Sequence, residues 1–170
     1  MQISSPSANF TRPADTLAYT AGDLVANSTT AGSVVPLSWT LQSSFITAPF
    51  TIKRATIVTS STAVANLNLR LHLYSASPAV TNGDNGAFTS TLAANYLGYI
   101  ICDGTTTPGA KFSDGAVAIG SIAAGAELNV KMPSGRTIYG LLEALAAYTP
   151  TSAETFTVIL DLIEHYPRGA

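Results

Sequence analysis

The stretch TNGDNGAF, residues 81–88, sets one carboxylate, Asp84, between two Asn-Gly pairs. Closely spaced oxygen-bearing side chains can wrap a calcium ion, a hard cation that takes roughly six to eight oxygen ligands. A calcium loop of the EF-hand kind beginning at Asn82 needs alternating oxygen donors and a bidentate Glu at its twelfth position. That position is Ala93, so the pattern breaks. A looser oxygen-lined site stays open. So does a plain inter-strand connection, because Asn82-Gly83 and Asn85-Gly86 are turn dipeptides that tolerate positive φ. On that reading Asp84 and Asn85 cap backbone N–H groups inside the loop, and Phe88 plugs its far end onto the body of the protein.

Other chemistry finds fewer residues to carry it. The chain has two histidines, His72 and His165, and no G-x-S-x-G elbow, so a Ser-His-acid triad has no evident nucleophile. Both imidazoles read as surface groups. Zinc has no ligand set of paired Cys or H-E-x-x-H type. Gly115 to Gly120 has the glycine spacing of a phosphate loop but no Lys-Ser/Thr after it. Glycoside hydrolysis needs two carboxylates about 5–10 Å apart, for which Glu143, Asp161 and Glu164 are the candidates. Asp161 has the opposite parity to Phe156, Val158, Leu160 and Leu162, and so points outward. Cys102 follows a strand-like run and reads as a small buried hydrophobe with no base to activate it. Trp39, in PLSWTL, reads as core. No catalytic residue, metal ligand or cofactor is expected.

The elements around these residues are strands. Leu67, Leu69, Leu71 and Leu73 alternate with Asn68, Arg70, His72 and Tyr74, the period-two pattern of a half-buried strand. Similar runs occupy 17–27, with a bend at Gly22-Asp23, and 33–41, where Pro36 marks an edge or a strand start. Others fall at 51–60, 96–102, 117–123, 126–132 and 155–163. Residues 137–147 contain helix formers but read as a strand; 89–95 holds the one possible helix. Turn residues fill 103–116. About eight or nine short strands at this spacing predict an all-β antiparallel sandwich, an eight-stranded jelly roll. Residues 1–13, polar and bracketed by Pro6 and Pro13, read as an extended N-terminal arm outside the core, and 14–170 as a single β-sandwich domain.

Composition narrows the partners. Charged residues make up 11% of the 170, against roughly 25% in an average soluble protein, so the chain has few charges with which to cover a free surface. A surface lying against other subunits fits this, as does a Thr-rich exterior. Net charge is −2 and the eight Lys and Arg are scattered, which disfavours nucleic acid. No apolar run approaches the ~18 residues of a membrane span. MQISSPSANFTRP lacks the basic-then-apolar order of a secretory signal, and a lone Cys fits assembly in a reducing cytoplasm.

One resemblance adds to this. RPADTLAYTAGDLVAN (residues 12–27), the strand end Leu71-His72-Leu73-Tyr74, then Pro78, Asp84-Asn85-Gly86-Ala87-Phe88 and Leu97-Gly98 occur in an order that resembles the head decoration, or cement, proteins of tailed bacteriophages. The likeness covers about the first hundred residues; the rest matches only in strand pattern. It implies a non-enzymatic virion protein of jelly-roll type. Such a protein binds the capsid exterior, cements neighbouring major capsid subunits and forms a dimer or trimer. Phe10 and Arg12 on the arm, and the adjacent basic pair Lys53-Arg54, are the capsid-contact candidates. The alternative is a carbohydrate-binding β-sandwich of a virion or fibre protein, with Trp39 and several tyrosines on one exposed face.

Overall fold

The computed structural model describes residues 2–42, 49–62, 67–104, 111–112, 115–121, 128–132 and 135–165. These residues form an all-β fold of twelve strands, with two short 3-10 turns and no α-helix among them. In chain order the strands are β1 (Gln2–Ser4), β2 (Ser7–Thr11), β3 (Leu24–Val25), β4 (Leu37–Thr40), β5 (Phe50–Thr59) and β6 (Asn68–Tyr74). Then come β7 (Tyr96–Asp103), β8 (Lys111–Phe112), β9 (Gly115–Ser121), β10 (Leu128–Val130), β11 (Thr137–Ala144) and β12 (Thr155–Glu164). The 89–95 segment supplies only the 3-10 turn Ala93–Asn95, while 137–144 is a strand as its Thr-Ile-Tyr start suggests.

The hydrogen-bonded path runs β1-β12-β5-β9-β7-β6-β11-β3, with β2, β4, β8 and β10 paired beside it. Every pairing is antiparallel. A single register contact, Asp103 to Ile119, joins the β12-β5-β9 half to the β7-β6-β11 half. The inner faces of both halves meet in one core. Leu69, Leu71 and Leu73 of β6 lie in the same buried cluster as Ile52 and Ile57 of β5 and Val158, Leu160 and Leu162 of β12. Each such side chain contributes about 1.5–3 kcal/mol on burial. Trp39 crosses between the halves: from β4 its Nε1 donates to the Val158 carbonyl of β12 at 3.0 Å. The arrangement is sandwich-like.

The N-terminal segment departs from the expectation of a free arm. It is extended, but β2 pairs with Thr155 to Ile159 and β1 with Leu162 to Glu164, so it lies along the outer edge of β12. Ala8 and Phe10 pack against the core while Ser7, Asn9 and Thr11 face out. The alternation of a strand was present in SANFT; the open edge of β12 supplies its partner.

Candidate functional site

The outer face of the β7-β6-β11 half gathers the most chemistry. Register sets it out in three rows across β11, β6 and β7: Tyr139, Tyr74 and Tyr96; Leu141, His72 and Tyr99; Glu143, Arg70 and Ile101. Tyr96 and Tyr99 would face opposite sides of a regular strand. A bulge between Leu73 and Tyr74 in the β6-β7 pairing skips Leu97 and turns both rings outward. Gly98, at φ +131°, takes the backbone angle this needs. The 75–95 connection then folds back over the face. Its Phe88 stacks on His72 at 4.2 Å between ring centroids, and its Ser90 hydroxyl meets the Tyr74 hydroxyl at 2.6 Å.

His72 is therefore not the surface imidazole its parity suggested; it is 8% exposed. Its Nε2 lies 2.8 Å from Glu143 Oε2 and its Nδ1 3.0 Å from the Tyr96 hydroxyl. Burial pulls the His72 pKa below its ordinary value, against the opposing pull of Glu143. Burial also pushes the Tyr96 phenol up to about 12, so the phenol keeps its proton. The neutral imidazole thus donates Nε2–H to the carboxylate and accepts from Tyr96 at Nδ1. Arg70 donates to the same Oε2 at 2.9 Å and neutralises Glu143. The stability consequence has a definite sign. The unfolded chain takes up a proton at the ordinary histidine value of 6.5, while the folded His72 resists it. Stability is full above that value and falls as pH drops through it toward the folded value. Urea midpoints between about pH 7.5 and 5.5 should fall more steeply for the native protein than for His72→Gln. Equal slopes would refute the assignment.

The TNGDNGAF loop is held by a different, buried network. Asp84 Oδ1 accepts from the Tyr19 hydroxyl and the Ala26 amide, both at 2.7 Å, and Oδ2 accepts from Arg12 at 3.1 Å. Arg12 also reaches Asp15 Oδ1 at 2.8 Å and donates Nε–H to Tyr19 at 2.9 Å. Asp84 does cap a backbone N–H, but across the fold at Ala26 rather than inside its own loop. Burial pushes the Asp84 pKa up, and its three donors pull it back down. Asn85 adopts φ 61°, as its turn dipeptide allows. Gly83 has no room for a side chain, since a Cβ there would lie 2.0 Å from the Thr29 carbonyl oxygen. With both Asp84 oxygens engaged and a guanidinium beside them, the loop is a poor cation site. No cluster of three potential metal ligands occurs among the described residues.

No protein-family model matches the chain, and no curated protein is significantly similar to it. The site residues are thus placed by geometry alone.

Of the contact candidates, Arg12 must be withdrawn: at 2% exposure its guanidinium is enclosed by Asp84, Tyr19 and Asp15 and offers nothing to a partner. Phe10 is half-buried, stacked on Phe156 at 5.5 Å, and lines a groove of about 530 Å³ between β2 and β4. Lys53 and Arg54 are both exposed although adjacent, because a bulge in the β5-β12 pairing skips Lys53. Arg54 pairs with Asp161 across the strands at 2.7 Å.

The three carboxylates weighed for hydrolysis do not assemble. Glu143 lies on the outer face of β11 with Arg70 and His72, and Asp161 on the outer face of β12 with Arg54 and Ser5. Glu164 is buried, accepting from Ser4 Oγ and the Gln42 amide. Cys102 is fully buried, and burial pushes its thiol up to about 12, far from a thiolate at neutral pH. His165 bonds the Thr51 hydroxyl at 2.8 Å. Sequence reasoning missed Tyr74, Phe88 and Tyr96 as a group. The one signal for them was Gly98 inside a strand pattern, which marks a bulge.

Proposed function

We propose that the chain is a non-enzymatic structural protein of a tailed-phage virion that binds the capsid exterior and bridges neighbouring major capsid subunits. The observation that carries this reading is the character of the surface. The few charges are largely engaged within the chain: Arg12 with Asp15 and Asp84, Arg54 with Asp161, Arg70 with Glu143, and Arg136 with the Leu41 carbonyl. Glu154 and Glu164 are buried. Large apolar side chains stand exposed in their place, among them Ile3 at 71%, Val35 at 68% and Leu17 at 61%. On the outer face Tyr99, Ile101 and Ile119 form an exposed stripe that runs from β7 to β9. Such a surface suits broad, shape-matched contacts, and a dimer or trimer gains from many weak contacts through effective concentration. The resemblance in residues 12–27 and 71–98 points the same way and brings with it a jelly-roll wiring of the sandwich.

The test uses expanded phage heads stripped of the protein. Added protein should bind them and raise the temperature at which they rupture. Lys53→Glu with Arg54→Glu should slow binding and flatten its salt dependence, as expected when steering charges are reversed. Heads that bind none and are equally robust to heat without it would remove the reading.

A further inference from the structure

We propose that the cleft roofed by the 75–95 connection on the outer face of β6 and β7 binds the ring of a neutral sugar, apart from any contact with a capsid. The cleft has a volume of about 260 Å³. It falls below the roughly 300–1,000 Å³ of drug-sized sites, which suits one ring. Its walls are aromatic: His72 and Phe88 stacked at 16°, and Tyr74 against Tyr96 edge-on at 5.3 Å and 62°. Aromatic faces match the C–H faces of a pyranose. Ser90, Thr91, Tyr74 and Tyr96 are among its lining residues, so hydroxyl-bearing side chains border a mainly apolar space. Each hydroxyl can donate once and accept twice, so the Tyr74–Ser90 bond leaves the half-buried Ser90 hydroxyl with capacity for a ligand.

The lining carries no net charge. Glu143 sits behind His72 and is paired with Arg70 at 2.9 Å, so neither an anion nor a cation finds a counter-charge. Access is open, since Tyr96 is 39% exposed. The bulge that aims Tyr96 into the cleft is the kind of irregularity that re-aims a side chain at a binding site. Trp39, the ring a glycan-binding reading would have placed outside, is 1% exposed in the core; Tyr96, with the half-buried Phe88 beside it, takes that role.

The experiment is a titration of isotope-labelled protein, followed by amide NMR, with the methyl glycosides of glucose, galactose, mannose and N-acetylglucosamine. Concentrations reach about 50 mM, enough to read Kd values above 1 mM. At least one glycoside should give saturable shifts confined to residues 88–91 and 96. Tyr96→Ala should weaken that binding roughly tenfold or more. Ala93→Phe, on the exposed 3-10 turn at the mouth of the cleft, should abolish it by filling the space while removing no existing contact. No saturable shift with any glycoside would overturn the proposal, as would binding unchanged in a folded Ala93→Phe variant. Saturation by tetramethylammonium but by no glycoside would overturn it in favour of a cation cage. None of these outcomes depends on head binding.

Discussion

Trp39→Ala should destabilise the protein by about 3–5 kcal/mol, a large share of the 5–15 kcal/mol that holds a domain folded. The indole is 1% exposed and spans the space between the two halves of the sheet. Its ring occupies the place a side chain would take at residue 140: a Cβ on Gly140 would lie 2.7 Å from two ring carbons. Gly140 has no side chain to fill the void, so much of the cavity term persists. The loss also leaves the Val158 carbonyl without its indole donor, where β12 faces the core. Trp39→Phe keeps most of the volume and should cost about 1–3 kcal/mol, the penalty for an unpartnered buried polar group. Urea unfolding at fixed slope reads both values. A loss under 1 kcal/mol for Trp39→Ala would mean that the halves do not share a core at this point.

Asp84→Ala is the second large effect, at about 3–5 kcal/mol. A loop acid that only caps a local amide would be worth ~1 kcal/mol. Asp84 instead compensates Arg12, and the exposure of the two side chains is 1% and 0%. Removing it strands a buried guanidinium, which retains Asp15 and the Asp15 carbonyl at 2.5 Å. These remaining partners hold the expected loss near the lower end of the range. It also frees the Tyr19 hydroxyl and the Ala26 amide, loosening three segments at once. Replacing both partners, Arg12→Leu with Asp84→Leu, should recover part of the loss, because the uncompensated charge goes with the pair. Calcium should leave the melting temperature unchanged in native and variant protein alike. A melting shift with calcium that Asp84→Ala removes would establish the ion loop after all.

The strands were legible where one face is apolar. LNLRLHLY gave its inward face as Leu67, Leu69, Leu71 and Leu73, and all four are buried. The outward face was harder, because alternation says which side faces the core but not what covers the other side. His72 and Tyr74 are covered by a connection whose closest contacts, Phe88 and Ser90, lie sixteen residues along. The bulge that turns Tyr96 outward breaks the parity on which such reading depends. Arg12 was misplaced for a related reason. A charged residue beside Pro13 reads as exposed unless its counter-charge is known, and Asp84 is 72 positions away. The N-terminal strands were masked by their short length and flanking prolines, and their pairing depended on an edge at the far end of the chain. Two acidic residues of the strands are compensated across the sheet, Glu143 by Arg70 and Asp161 by Arg54, a pairing that only the register reveals.

The central claim, that this sandwich-like protein cements a phage head, is tested most directly by an electron cryomicroscopy reconstruction of the intact virion. Density for the two halves of the sheet should sit on the outer surface of the head, contacting more than one major capsid subunit. A fully mapped head surface without that density, in virions that contain the protein, would contradict it.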